Sequence, residues 1–227
     1  MEQNISNYLK AAGICLLITL AIAAEAQNEK LWKSERKVAI LLGTSQLLIA
    51  KGFNIEGNYI HKRLIFDYSH GFSLDFTDDL LTTELKENGL VVHIPWTTGF
   101  GVGYRFTEWL NLRVEPKWHR FEFYYEDEAQ NKTNEIASYN TFTLGLGMYG
   151  FFQPFKNKSN FLKGITIVPS IRFWPTVTST LKGDKFQYSN KNTGSNETIE
   201  TLDVGIGFTP LVINVGVGYS FQIKKRR

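Results

Sequence analysis

The chain has 227 residues, a formal net charge of +3 at pH 7 and a single cysteine, Cys15. So small a charge gives no reason to expect a nucleic-acid partner, and the length suits one domain. Nineteen glycines occur together with an aromatic content of 14%, a pairing that is unusual for a soluble core.

Residues 1–26 are predicted to be a secretory signal peptide. Lys10 precedes an apolar run over 11–24, and the segment ends with an A-x-A sequence at 24–26. These are the parts that a signal peptidase recognises, and the run is shorter than the roughly 20 residues that a membrane-spanning helix needs. Cleavage would remove Cys15 and leave a mature chain without thiol chemistry or disulfides.

The clearest strand is predicted near the carboxyl end, over 211–221. Its odd-numbered residues are all apolar: Leu211, Ile213, Val215, Val217, Tyr219 and Phe221. The even-numbered residues from 214 onward are small or polar: Asn214, Gly216, Gly218 and Ser220. A period of two puts one set on each face of a strand, and a face of small polar residues suits the crowded interior of a narrow barrel.

The same alternation occurs in four other segments, at 99–106, 110–119, 141–149 and 165–174. In the second of these the pattern changes near Arg120, beyond which Phe121 and Phe123 form the apolar set. Two explanations stay open, a β-bulge or emergence of the strand from a bilayer.

The connections between these segments fall into two classes. Those at 107–109 and 154–162 are short, whereas those at 73–92, 126–138 and 179–208 are long and polar. Transmembrane barrels have short periplasmic turns and long outer loops, so segment 202–208 is assigned to an outer loop although its sequence resembles a strand. Eight strands are predicted, at 37–49, 53–60, 64–72, 93–106, 110–125, 139–153, 163–178 and 209–223.

Two of the connections have further features. Residues 61–63 are predicted to form an inner turn between the second and third strands. Loop 73–92 is predicted to hold a short helix, because Thr77 can cap it and Asn88-Gly89 suit its end. The packed face of this helix would consist of leucines: Leu80, Leu81 and Leu85.

Two strings resemble small bacterial outer-membrane β-barrel proteins of the OmpA/OmpX-like type. They are GFGVGYRFTEWLNLRVEPKW at 99–118 and NVGVGYSF at 214–221. In that family a strand of type G-x-G-x-x-Y/F, a brief turn and a strand of type L-x-L-x-x-E form an inner hairpin. The resemblance covers most of the chain from Lys37 onward and implies an eight-stranded barrel, but the family spans adhesion, surface defence, anchoring and small pores. The chain departs from the family by continuing past the terminal aromatic Phe221 into a basic tail.

Seven charged residues are predicted to point into the barrel. They are Glu56, Asp67, Arg105, Arg113, Glu115, Lys117 and Arg172. Burying charges is costly unless they are paired, and eight strands enclose an interior just wide enough to be filled by side chains. A paired network that plugs the interior is therefore predicted, with a narrow selective pore as the alternative.

Catalytic and cofactor sites are not predicted. Asp67, Ser69 and His70 supply the residue types of a hydrolytic triad, but strand parity points His70 away from the other two. Asp75, Asp78 and Asp79 lack the ligand spacing of a calcium loop. His119 is assigned to the lumen network and His93 to the barrel rim.

Aromatic residues are predicted to form two belts at different depths, as interfacial anchoring requires. The inner belt would comprise Tyr104, Phe106, Trp109, Tyr219 and Phe221. The outer belt would comprise Trp96, Trp118, Tyr124, Tyr139 and Trp174.

Together these features predict an all-β, eight-stranded antiparallel barrel embedded in a bacterial outer membrane. Its parts are a signal peptide (1–26), a periplasmic segment (27–36), the barrel (37–223) and a basic tail (224–227). The predicted role is structural or interaction-based, with a plugged lumen. The alternatives are a narrow channel for small or hydrophobic solutes and, third, a lipid-modifying enzyme. The expected partners are outer-membrane lipid, the assembly machinery and an extracellular ligand bound by the three long loops.

Overall fold

The computed structural model describes residues 35–77, 80–202 and 210–223. The predicted signal peptide, residues 27–34 of the predicted periplasmic segment and the basic tail lie outside these ranges, as do residues 203–208 of the segment assigned to a loop. The strands are β1 (Arg36–Gly43), β2 (Phe53–His61), β3 (Leu64–Phe76), β4 (Leu90–Arg105), β5 (Leu110–Tyr125), β6 (Ala137–Gly150), β7 (Ile165–Phe173), β8 (Thr176–Ser179), β9 (Lys185–Ser189), β10 (Asn196–Glu200) and β11 (Leu211–Gln222). Two short helices, α1 (Thr44–Leu48) and α2 (Thr83–Glu87), follow β1 and β3.

Eight of these strands form a closed antiparallel ring. Strands β1 to β7 pair in chain order, β7 pairs with β11, and β11 pairs with β1. Strand β8 pairs with β6 beyond the end of β7, and β9 and β10 form a separate hairpin in the connection to β11. The ring therefore contains the eight strands expected from the sequence.

The two ends of the ring differ in their connections. At one end β2 turns into β3 at residues 62–63 and β4 into β5 at residues 106–109, and the described chain also begins and ends there. We call this the short-turn end. Helices α1 and α2 and the β9–β10 hairpin lie at the opposite, long-loop end.

Strand alternation separates the two faces of the barrel wall. Along β2, Asn54, Glu56 and Asn58 are buried, whereas Ile55 and Tyr59 are exposed. Exposed apolar side chains cover the outside of every ring strand, and the largest exposed fractions include Ile40, Tyr68, Phe100, Val114, Leu146, Phe173 and Ile213. The wall is thus apolar outside and polar inside, as the sequence pattern predicts.

Several predicted boundaries are wrong. Strand β1 ends at Gly43 instead of residue 49, because the Thr44 hydroxyl donates to the Val215 carbonyl at 2.8 Å and the chain turns into α1. Strands β3 and β4 extend into the predicted loop 73–92, to Phe76 and from Leu90. In that loop α2 begins at Thr83, and Leu81 and Leu85 are buried as predicted. Residues 78–79, where the predicted helix begins, lie outside the described ranges.

The predicted strand 163–178 is also interrupted. Strand β7 ends at Phe173, and β8 resumes after Trp174 and Pro175. Its pairing to β6 keeps the register of β7 at Thr143–Thr176 and shifts between Thr143 and Phe142. Pro175 lies in this interruption and has no backbone N–H to donate to a sheet, although Pro116 and Pro169 are accommodated within β5 and β7. Furthermore, the predicted loop 179–208 contains the β9–β10 hairpin.

The change of pattern near Arg120 does not come from a bulge in β5. Pairing between β5 and β6 is continuous up to Phe123. The register shift lies instead in β4, between His93 and Thr97, where β4 pairs with β5. On β5 the inward positions stay odd-numbered, and only their chemistry changes from charged to aromatic.

The interior at the long-loop end is an apolar core. It combines buried residues of β3, β4, β5 and β6 with residues of the hairpin, and its main members are Leu74, Phe76, Leu85, Ile94, Phe123, Tyr139, Tyr188 and Ile199. The Phe123 and Phe186 rings lie 4.9 Å apart between centroids. The hairpin therefore caps the barrel at this end.

Candidate functional site

A network of buried charges fills the middle of the barrel, with Arg113 at its centre. The Arg113 guanidinium donates to Glu56 at 2.9 Å and to Asp67 at 3.2 Å. These three side chains come from β5, β2 and β3, and all are buried. The ion pairs thus connect three strands across the lumen.

Glu115 and Lys117 continue this network along β5. The Tyr149 hydroxyl donates to Glu115 at 2.5 Å, and the Lys117 ammonium lies 3.7 Å from the same carboxylate. Lys117 also donates to the Ser69 hydroxyl at 2.8 Å. Each of the three carboxylates is therefore contacted by Arg113, Tyr149 or Lys117.

Arg172 of β7 has a different environment. Its Nε donates to the Ser170 hydroxyl at 3.0 Å, and no carboxylate of the described residues lies within ion-pair distance. Its guanidinium carbon lies 5.1 Å from the Tyr149 ring centre and 5.0 Å from the Trp174 ring centre. Aromatic faces attract cations, most strongly in a desolvated setting, and here they partly replace a counter-charge.

The Trp174 ring contacts two cationic side chains, Lys117 and Arg172. The Lys117 ammonium lies 4.1 Å from the centre of the same indole ring that Arg172 faces. The indole fits because Gly145 on β6 has no side chain, and a Cβ there would lie 1.6 Å from the Trp174 Cδ1 atom. Trp174 therefore lies inside the barrel, so its predicted place in the outer aromatic belt is wrong.

A second cluster lies at the short-turn end. Glu35 pairs with Lys37 at 2.6 Å and with Arg105 at 3.1 Å. Burial opposes ionisation of Glu35, but the charge of Lys37, its hydrogen bond and the more distant Arg105 hold the pKa of the carboxyl below its ordinary value. Arg105 also donates to the backbone carbonyls of Lys62 and Glu108, so this cluster ties two turns to the first strand.

A cavity of about 510 Å³ lies between the charge network and the apolar core. Lys117 and Arg172 line its base, and Leu74, Phe76 and Ile94 belong to its walls. Among the described residues lining this cavity there is no aspartate or glutamate. Its volume falls within the range of roughly 300–1,000 Å³ that is typical of small-molecule sites.

All seven residues predicted to face the lumen are buried. Six of them lie together, and Arg105 lies apart with Glu35 at the short-turn end. Whether the network acts as a structural plug stays a prediction.

Four contributors were missed from the sequence: Glu35, Lys37, Tyr149 and Trp174. Lys37 faces inward on β1 together with Ala39 and Leu41. Because those two residues are apolar, the sequence of β1 does not show which of its faces is the polar, inward one. Tyr149, by contrast, stands at an inward position of β6, and Trp174 continues the inward parity of β7 just beyond its end, so strand alternation in the sequence indicates both.

The residues of the considered triad are not brought together. Asp67 and Ser69 point inward, whereas His70 lies on the other face of β3 and packs against Phe72, with 4.3 Å between the two ring centroids. His119 lies between the Thr97 and Thr143 hydroxyls, at 2.8 and 2.9 Å. Among the described residues no cluster of three histidine, cysteine or acidic side chains is placed to hold a metal ion.

His93 and the predicted outer belt can also be placed. His93 pairs with Asp75 at 2.5 Å on the outward face near the long-loop end. The outer belt is not continuous, because Tyr139 is 1% exposed within the apolar core and Tyr124 is buried as well. Trp118 is exposed on the outside, as are Tyr104, Phe106 and Phe221 of the predicted inner belt.

Comparison with solved structures identifies small outer-membrane β-barrel proteins. A major outer membrane protein from Thermus thermophilus matches with a TM-score of 0.44 and 15% identity, covering 83% of this chain and 100% of that one. Ail, the attachment invasion locus protein of Yersinia pestis, matches with a TM-score of 0.39 and 12% identity, covering 82% of this chain and 99% of that one. The chain is similar to this group of proteins.

A third structure, the outer membrane protein OmpT of Vibrio cholerae, matches with a TM-score of 0.28 and 12% identity, covering 76% of this chain and 41% of that one. No protein-family model matches the chain, and no curated protein matches it in sequence. None of the helices in the described ranges is long and apolar enough to cross a membrane.

Proposed function

We propose that the protein spans a bacterial outer membrane as a closed barrel that does not conduct and presents its long loops for interaction at the cell surface. One observation carries this proposal: the ring exposes apolar side chains on the outside of all its strands while charged side chains are buried within. In water that arrangement would be unfavourable on both faces, whereas in a bilayer the exposed belt meets hydrocarbon. The short-turn end would then face the periplasm.

Three layers along the barrel axis support a lumen without conduction. The Glu35–Lys37–Arg105 cluster, the network around Arg113 and the apolar core under the hairpin follow one another from the short-turn end. Ion passage needs a continuous polar path of sufficient width. A catalytic role is not proposed, since Ser69 and His70 lie on opposite faces of β3.

Orientation and membrane insertion can be tested with single cysteines in a chain whose Cys15 is expected to be cleaved away. Lys132→Cys lies in the loop between β5 and β6, and Lys158→Cys lies in the connection at the short-turn end; both positions are exposed. A membrane-impermeant maleimide should label Lys132→Cys on intact cells and Lys158→Cys only after permeabilisation. The opposite pattern, or recovery of the protein in the soluble fraction, would contradict the proposal.

Conduction is tested by inserting the folded protein into planar lipid bilayers in potassium chloride. We expect no stable unitary current steps. Steps that recur in every preparation would instead favour the narrow channel, and loss of those steps in the variant Arg113→Met would locate the path in the lumen.

A further inference from the structure

We propose that the cavity at the loop side of the charge network binds a single-chain amphiphile with an anionic head group, such as a fatty-acid carboxylate. The site goes beyond the surface role proposed above, because the ligand would lie inside the barrel and not on the loops. The head group would contact Arg172 and Lys117, and the chain would lie against the apolar wall.

The charge distribution around the cavity points to an anion. Lys117 and Arg172 are 3% and 4% exposed and line the base of the cavity. The acidic residues of the network contact Arg113, Tyr149 and Lys117, and none of the described acidic residues lines the cavity. Two buried cations therefore border the cavity, and only Lys117 has a carboxylate of the described residues, Glu115, within 4 Å.

Arg172 is the main anchor in this proposal. Its hydrogen bond to Ser170 uses Nε, and its other described contacts are the faces of Tyr149 and Trp174. A buried guanidinium is costly without a charged or hydrogen-bonded partner. A carboxylate is the planar acceptor that a guanidinium binds with two parallel hydrogen bonds.

The apolar residues of the cavity wall indicate what would be attached to the anionic head group. Leu74, Phe76 and Ile94 are buried apolar residues that line the cavity and also belong to the apolar core. A small inorganic anion would leave these side chains without contact, whereas an alkyl chain would gain free energy from each methylene group buried against them. Polar side chains such as Asn54, Thr97 and Thr143 also line the cavity. The lining therefore combines a charged and polar part with an apolar part, as an amphiphile requires.

The boundary of the cavity includes α1, where the wall is not a strand. Gln46 of α1 lines the cavity, whereas Leu47 and Leu48 are 54% and 79% exposed on the helix. The amphiphile could therefore enter from the lipid phase or from the surrounding medium. A molecule from either source would have the same anionic head group and the same apolar chain.

Binding is tested with the folded protein in nanodiscs of zwitterionic phospholipid, using empty nanodiscs as the reference. Calorimetric titration should show saturable binding of dodecanoate and at least tenfold weaker binding of dodecanol, which has the chain without the charge. Acetate has the charge without the chain and should not bind detectably. Equal affinity for dodecanoate and dodecanol, tight binding of acetate, or no binding of dodecanoate would each overturn the proposal.

Two arginine variants locate the site. Arg172→Gln should weaken dodecanoate binding about tenfold to a hundredfold, the range expected for a lost hydrogen bond to a charged group, and Arg172→Lys should restore part of it. Arg105→Gln removes an equally buried arginine away from the cavity and should leave binding unchanged. Equal loss in both glutamine variants would contradict the assignment. If Arg172→Gln does not fold, as judged by heat-modified gel mobility, the comparison between dodecanoate and dodecanol in the unaltered protein still decides.

The source of the ligand is distinguished by the route of delivery. Dodecanoate is supplied either within a second population of vesicles or from solution bound to a water-soluble carrier protein. Binding that requires vesicle contact indicates the lipid phase, and binding from the carrier alone indicates the external medium. Failure of this site would leave the cysteine-labelling and conductance results unaffected.

Discussion

Strand β5 crosses two regions of the barrel that obey opposite rules. From Leu110 to Lys117 its inward residues are charged or polar, and its outward residues are apolar. From His119 to Tyr125 the inward residues include Phe121 and Phe123, whereas the outward residues include Arg120 and Glu122. We call these regions the turn half and the loop half. The turn half has the arrangement of a membrane barrel, and the loop half has that of a water-soluble protein. If the turn half lies in a bilayer, as proposed, one strand faces two solvents by exchanging the chemistry of its two faces.

The two halves also differ in what holds them together. In the turn half, ion pairs such as Arg113–Glu56 connect strands through the lumen, so stability depends on charges being matched. In the loop half, packing of Phe123, Tyr139 and Ile199 attaches a hairpin to the barrel. Loss of a partner should thus cost more in the turn half than a comparable loss of packing in the loop half.

The largest effect is expected from breaking the network at its centre. Arg113→Met would leave Glu56 and Asp67 buried without their shared cation, at a cost of about 3–5 kcal/mol. Urea unfolding in lipid vesicles measures this change. Adding Glu56→Gln and Asp67→Asn to the same chain should recover part of the loss, and no recovery would show that charge matching is not the cause.

A charge placed on the outside of the turn half should have the next largest effect. Val114 is 49% exposed and pairs with Val102 and Leu146 in the middle of the apolar belt. Val114→Arg should destabilise the protein by about 2–4 kcal/mol if the residue faces the centre of the bilayer. Thr198→Arg on the exposed face of the hairpin should change stability by less than about 0.5 kcal/mol. Similar costs for the two would remove the distinction between the halves.

A smaller effect is expected when the same methylene group is removed from each half. Ile199 is 5% exposed inside the loop half, whereas Ile213 is 54% exposed on the outside of the barrel. Ile199→Val should cost about 0.5–1.5 kcal/mol and speed proteolysis within the hairpin. Lipid can fill the space left by Ile213→Val, so that variant should behave as the unaltered protein. A larger cost for Ile213→Val would mean that this face is packed against protein.

The smallest effect is a pH dependence of the hairpin. The Tyr188 hydroxyl donates to Glu197 at 2.7 Å, and this hydrogen bond holds the pKa of Glu197 below its ordinary value. A lowered carboxyl pKa stabilises the folded hairpin above the unfolded pKa, and the gain is lost as the pH falls through the folded pKa. Proteolysis of the hairpin should therefore accelerate below about pH 4.5. Tyr188→Phe should weaken that dependence, while the heat-modified mobility of the barrel should not change.

Prediction from sequence succeeded where a local pattern decides. Alternation placed all seven lumen charges on the inward face, because side chains on a strand alternate strictly between its two faces. It failed at the ends of β1 and β7. At Gly43 the chain turns into α1, where the Thr44 hydroxyl bonds to the neighbouring strand, and after Phe173 the chain is interrupted at Trp174 and Pro175. The β9–β10 hairpin was missed because its polar, exposed residues look like those of a loop.

The sequence alone therefore determined the number of ring strands, their inward faces and the two classes of connection, since these follow from a period of two and from loop length. Only the tertiary structure decided which charges meet. Arg113 and Glu56 stand 57 positions apart, and Arg172 lies beside an aromatic face without a carboxylate. Such contacts depend on strand register and on how the ring closes. For the same reason the cavity above the network, bordered by β3, β4, β5 and β7, has no signature in any single segment of the chain.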